Sequence, residues 1–216
     1  MKKVYRKGFT LVEILVTTVV VAVLAAIVIP AVAKQVTAGD PARMVSDLNS
    51  VKTAIEVFGN NVRPKFPGDI EDLVNPIDET GDVGLDGASY SSTQVSNWKG
   101  PYLQWSLIST NQAALTEQAF RTANGYKVYS ALRICSATVQ GVEAGTCVSN
   151  GASTLPTNPY VTVLVEGLTD GDFGRLNDII DGTETANSLT GLLRYAPLSG
   201  TEQSLTYFLT TPYTKP

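Results

Sequence analysis

The sequence contains no histidine. That removes Ser-His-Asp triads, Cys-His dyads, His-ligated zinc and imidazole acid–base chemistry at once. It has only two cysteines, too few to close a four-thiolate zinc site. No GxxxxGK[ST] stretch occurs, so a P-loop for nucleotide is excluded. Charged residues are scarce at 17%, against 44% hydrophobic, and such a chain can bury a core rather than stay disordered. Basic charge is scarcer still beyond the N-terminus. Lys2, Lys3, Arg6 and Lys7 hold four of the sixteen basic residues, and the remainder sets twelve against twenty acids. An acidic body offers no electrostatic footprint for nucleic acid. One SxxK match, Ser96 to Lys99, lacks the SDN and KTG companions of Ser-nucleophile enzymes and reads as chance. Among acids, no pair is marked by an apolar surround. The chain reads as a non-enzyme of 216 residues, one domain plus an extension.

What is present is concentrated in the first forty residues. A basic, acid-free stretch, MKKVYRKG, is followed by an apolar run from Phe9 to Ala33. As a helix of about 1.5 Å per residue the run spans a hydrocarbon core of about 30 Å. Basic residues before it and few after it place the N-terminus in the cytoplasm and the rest outside. A secretory signal fits poorly, because an h-region is shorter, although Ala31-Val32-Ala33 offers a small-x-small site. A plain anchor accounts for everything except Glu13. A carboxylate within a spanning helix costs on the order of 3 kcal/mol, and no basic residue lies one turn away.

Lys7-Gly8-Phe9-Thr10-Leu11-Val12-Glu13 resembles the processing motif of type IV prepilins and type II secretion pseudopilins. The resemblance implies cleavage by a prepilin peptidase between Gly8 and Phe9. It implies N-methylation of Phe9, and assembly through Glu13 in the apolar helix. Pro30 resembles the helix-bending proline of many members. The physics is compatible. The new α-amine is cationic at neutral pH, and Glu13 lies four residues on, on the same helix face. The two can pair within one chain or between neighbours in a low dielectric.

Pro30 is expected to kink or locally melt the helix, with Gly39-Asp40-Pro41 a second weak point. Met44, Leu48, Val51, Ile55 and Phe58 then form a one-sided stripe, and Asp40, Arg43, Asp47, Lys52 and Glu56 lie off it. Gly59-Asn60-Asn61 should end the helix, with Gly59 as a natural cap. The expected organisation is a leader (1–8), a membrane helix (9–33), an amphipathic second half (34–59) and a periplasmic or extracellular head (60–216).

Residues 60 to 110 read as loop with short helices, one at Asp69–Val74. Trp98-Lys99-Gly100-Pro101-Tyr102-Leu103 and Phe66-Pro67-Gly68-Asp69-Ile70-Glu71-Asp72-Leu73-Val74 are similar to segments of major pseudopilins, without the DPWG that usually follows. Trp98, Tyr102 and Trp105 are expected as an aromatic core cluster. Four strands are expected at Tyr126–Ile134, Tyr160–Glu166, Leu192–Ala196 and Leu205–Thr210. A helix at Asp172–Asp181 should turn Phe173, Leu176, Ile179 and Ile180 inward and end at Gly182. The fold class is α+β, pilin-like: a long N-terminal helix, membrane-spanning in its first half, packed on a C-terminal antiparallel sheet.

Cys135 and Cys147 enclose a short Gly- and Ala-containing loop. Outside the cytoplasm a disulfide is preferred over two buried thiols. Asp78, Glu79, Asp82 and Asp86 cluster between glycines. Calcium is the cation such oxygen ligands suit, and some pseudopilins bind it in a head loop, but the spacing is not that of an EF-hand. A solvated acidic loop with no cofactor is favoured, as it is for Asp170, Asp172, Asp178 and Asp181.

The resemblance implies a structural subunit of a pilin-like filament, either a type II secretion pseudopilin or a major pilin-like protein. Its expected partners are copies of itself, the peptidase/methylase, an inner-membrane assembly platform with its ATPase, and membrane lipid. The precursor is expected in the inner membrane and the mature head in a pilus or pseudopilus. The competing class is a minor pilin whose head binds a surface, an export substrate or DNA. A monomeric anchored domain has no use for Glu13.

Overall fold

The computed structural model describes residues 9–107, 120–121, 126–137, 147–182, 190–196 and 205–216. The chain divides into two compact units, Met1–Asp40 and Pro41–Pro216, and helix α1 (Leu11–Asn61) contributes to both. Pro30 and Gly39-Asp40-Pro41 lie within its bounds.

In the first unit, Leu11–Val28 has a mean hydropathy of 2.8 and none of it is buried. A helix apolar on every side, with nothing packed on it, requires lipid or other helices as its solvent. Its hydroxyls do not add to that demand. Thr17 Oγ1 donates to the carbonyls of Glu13 and Ile14, both at 2.9 Å, and Thr18 Oγ1 to that of Leu15 at 2.9 Å. Such back-bonding hides polar groups within the helix.

The second unit is built around the later part of α1. Met44, Leu48, Val51, Ile55 and Phe58, the expected stripe, are all buried, joined by Ala54 and Val62. Arg43 and Glu56 are exposed, and Asp47 and Lys52 half-buried. Gly59 is not the cap expected of it. Helical bonding continues past it, with Val62 N–H donating to the Phe58 carbonyl at 2.8 Å. A Cβ at Gly59 would sit 3.2 Å from the Phe66 ring, so close packing explains this glycine.

Among the described residues, seven antiparallel strands form one sheet. They are β1 (Phe120–Arg121), β2 (Lys127–Val128), β3 (Arg133–Ser136), β4 (Cys147–Val148), β5 (Pro159–Glu166), β6 (Leu193–Ala196) and β7 (Leu205–Pro212). β5 is the spine. One edge pairs with β7 along its whole length, and β7 pairs in turn with β6. The other edge is shared between β2, opposite Val165 and Glu166, and β3, opposite Pro159 to Thr162. Val161, Val163 and Val165 alternate inward and enter one hydrophobic core with the α1 stripe, Ile134 and Phe208.

The continuous strand expected over Tyr126–Ile134 is in fact two. Residues 130–132 leave the ladder to bind a loop. Ile70 N–H donates to the Ser130 carbonyl at 2.9 Å, Leu132 N–H to that of Gly68 at 3.2 Å, and Asp69 bridges Ala131. β1 and β4, two residues each, are too short to carry a two-residue period and leave no mark in the sequence.

Helix α3 (Asp170–Ile180) starts two residues earlier than expected, because Thr169 caps it by accepting from Asp172 N–H at 3.2 Å. Phe173, Leu176 and Asn177 are buried, and Phe173 stacks on Tyr195 at 5.0 Å. Ile179, expected inside, is 53% exposed, since it lies some 60° around the helix from Leu176. Asp181 and Gly182 (φ 86°) end the helix at the expected place. A short turn of 3-10 helix, Glu71–Leu73, occupies part of the helix expected at Asp69–Val74. Helix α2 (Ser92–Asn97) carries a Ser91–Gln94 capping box.

Candidate functional site

The end of α1 where processing is expected is held by one side chain. Phe9 and Thr10 precede the helix, and Phe9 is 79% exposed. The Thr10 carbonyl accepts from Ile14 N–H at 3.3 Å, and its Oγ1 accepts from Glu13 N–H at 3.2 Å. Thr10 is therefore the N-cap, and Thr10-x-x-Glu13 is a capping-box pattern. The processing motif by itself does not mark Thr10; its T-x-x-E spacing is the available signal. With Thr17 and Thr18 bonded into their own helix, Glu13 is the one ionisable side chain between Leu11 and Val28. It sits in the first turn, where the helix dipole favours an anion.

The acids singled out in the second unit do not converge as a set. Asp78 closes a turn on itself: its Oδ1 accepts from Thr80 N–H at 2.7 Å and from Gly81 N–H. Those backbone donors hold its carboxyl below the usual range. Asp82 Oδ2 accepts from Asp78 N–H at 2.7 Å. Asp86 is drawn to Lys65, whose Nζ lies 2.8 Å away and also donates to the Ala88 carbonyl at 2.7 Å. The second acidic group is largely spent on local bonding. Asp172 pairs with Arg175, Asp170 accepts from the Tyr195 hydroxyl at 2.5 Å, and Asp181 accepts from Leu192 and Leu193 N–H at 2.8 and 2.9 Å. Asp178 is exposed.

Among the described residues the acids that do come together are Asp69, Glu71 and Asp72, with oxygens within 4.8 Å of one another. Asp69 Oδ1 accepts from the N–H groups of Glu71 and Asp72 at 2.9 and 3.2 Å. Asp72 is buried, accepting from Gly68 N–H and the Tyr90 hydroxyl, each at 2.8 Å. Burial raises the Asp69 carboxyl to about 6, and burial with the neighbouring Asp69 charge pushes Asp72 well up. Burial and the Asp72 charge likewise push the Tyr90 hydroxyl upward. These three acids are close in sequence, but nothing local marks Glu71 and Asp72 as buried, and Tyr90, which donates to Asp72, is eighteen residues away.

The aromatic segment folds as a clamp on the end of α1. Trp98 Nε1 donates to the Asp72 carbonyl at 2.9 Å, and Tyr102 N–H to that of Leu73 at 2.8 Å. The Tyr102 hydroxyl accepts from Asn61 Nδ2 at 3.2 Å and from Lys99 N–H at 2.8 Å. Trp98 meets Tyr102 edge to face at 5.5 Å, and both, with Trp105, pack on the core as expected. Beside the clamp a groove of about 840 Å³ runs along Val45, Asn49, Thr53 and Val57 to Pro101 and Tyr102, with no acid, Lys or Arg in its lining.

Cys135 and Cys147 stand opposite each other in the β3–β4 register and are joined as a disulfide.

Among curated proteins and among solved structures, none matches the chain. Residues 3–29 match a family model described as the prokaryotic N-terminal methylation motif. That segment spans the Gly8–Phe9 junction, the capping Thr10, Glu13 and the unpacked apolar helix. The chain thus carries at its N-terminus the signature of type IV pilin and pseudopilin precursors.

Proposed function

We propose that the chain is a structural subunit of a type IV pilin-like filament, either a type II secretion pseudopilin or a major pilin-like protein. The observation that carries this reading is a coincidence at the N-terminus. The methylation motif at residues 3–29 overlies a helix, Leu11–Val28, with no buried residue and one carboxylate. Such a surface is satisfied by lipid in the precursor and by neighbouring helices in an assembly. Glu13 then takes the methylated Phe9 amine of its own chain or of a neighbour as counter-ion. The precursor sits in the inner membrane with residues 1–8 cytoplasmic. Peptidase and methylase act there, and an assembly platform with its own ATPase drives polymerisation. Calcium has no place in this proposal: Asp86 is committed to Lys65, and Asp78 to its own turn. The similarity of the sequence Trp98–Leu103 to a segment of major pseudopilins favours the secretion subunit.

Mass spectrometry of the mature protein should find an N-terminus at Phe9 carrying one added methyl group. Electron microscopy of sheared surface material should find filaments of the protein if it forms a surface pilus, and none if the pseudopilus stays periplasmic. An intact leader, or cleavage after Ala33, overturns the proposal.

A further inference from the structure

We infer that Thr10 is a positioning residue for processing: its hydroxyl stops the helix at Leu11 and keeps the backbone at Phe9 out of the helical ladder, in reach of the peptidase. The inference rests on the preceding reading of residues 1–8 as a removed leader and adds to it a residue with a defined task.

One hydrogen bond sets where the helix begins. Glu13 N–H donates to Thr10 Oγ1 at 3.2 Å. In a helix begun one residue earlier, that N–H would go to the carbonyl four residues back, which belongs to Phe9. The cap therefore diverts a donor from the residue on the mature side of the proposed cut. The Thr10 carbonyl accepts the first helical bond, from Ile14 N–H at 3.3 Å, which fixes the start of the helix from the other side. Phe9 is non-helical and 79% exposed, so the residue that peptidase and methylase must both handle stands clear of packing. The methylation motif, which spans residues 3–29, points independently to an enzyme acting at this end. The residues that follow are continuous helix from Leu11, and without a stop signal that helix has no reason to end short of Phe9. An enzyme that cuts a peptide bond needs the backbone on either side of it free, and a helical Phe9 would first have to be unwound.

The test is pulse-labelling of the full-length precursor in cells that hold the peptidase, counting only the membrane-inserted fraction. The rate of conversion to the form beginning at Phe9 is compared for wild type, Thr10→Ser, Thr10→Asn, Thr10→Ala and Thr10→Val. An N-cap is typically worth about 1 kcal/mol, so Ala and Val should slow conversion roughly five-fold. Ser and Asn, which restore the acceptor, should convert at nearly the wild-type rate. Val is the decisive variant, because it keeps the shape of threonine and loses only the acceptor. Wild-type rates for Ala and Val, or a Ser variant as slow as Val, overturn the inference. Failure of the wild-type chain to be cut after Gly8 overturns the reading beneath it instead, so the two failures are told apart in one experiment.

Discussion

Gly100 shows how one missing side chain can fix a whole segment. A Cβ there would fall within the Trp98 indole, so the fold of Trp98 back over this position requires glycine. Gly100→Ala should push the indole away, with loss of the Trp98 Nε1 bond to Asp72 and of the contact with Tyr102. Overpacking of this kind costs about 1–3 kcal/mol, and more where a buried hydrogen bond goes with it. Urea unfolding followed by tryptophan fluorescence should show the loss together with a red-shifted native spectrum. Ala at the exposed Lys99 position next door should leave that spectrum unchanged.

At the scale of elements, the 3-10 turn Glu71–Leu73 is the joint between loop and sheet, and it brings buried acids with it. Asp69 and Asp72 both have carboxyls shifted upward in the folded state, facing Glu71, Asp82 and Tyr90. The folded protein therefore holds their protons more tightly than the unfolded chain does. Stability from these groups is fully present below the ordinary carboxylate range and is lost as pH rises through about 6 for Asp69. Asp69→Asn keeps an oxygen for the two backbone donors and cannot ionise. Denaturation of the full chain in detergent should find the variant more stable than wild type at pH 8, by on the order of 2 kcal/mol. It should find the two alike at pH 4. A constant difference across that range would show that the carboxyl does not titrate as described.

The same joint marks where the sequence could be read and where it could not. The stripe from Met44 to Phe58 was legible because a buried helix face must repeat every three or four residues. The strands β5, β6 and β7 were legible because β-branched and aromatic runs end in turn residues. The break between β2 and β3 was not, since it depends on residues 130–132 bonding to a loop some sixty residues earlier. Gly59 carried the composition of a cap, while its real constraint is the Phe66 ring, a tertiary contact with no local mark. The cysteines were paired from a spacing and a compartment, and the β3–β4 register supplies the geometry. At the N-terminus the motif pointed to the right segment but not to the hydroxyl that organises it.

For the molecule as a whole, the decisive asymmetry is that Glu13 alone among the polar side chains of Leu11–Val28 needs a partner from outside its helix. Glu13→Leu should insert in membranes as well as wild type or better, since a cost on the order of 3 kcal/mol disappears. Cleavage after Gly8 should persist, and the disulfide-linked head should fold unchanged. Sheared filament yield should fall sharply, because the Phe9 amine loses its buried anion. Mature protein level, membrane fraction and filament yield measured in one strain separate these effects. A stable Glu13→Leu protein with normal filament yield would remove the charge from any role in assembly.

β7, the last of the described strands in sequence, lies between β5 and β6. A ribosome must therefore deliver residues 205–212 before the sheet can close, and β6 must wait unpaired until its later neighbour arrives. Anchored early by its helix, the nascent head spends the final stage of synthesis as an open half-sheet with a bare β5 edge. That interval is when chaperones and proteases have their best access to it.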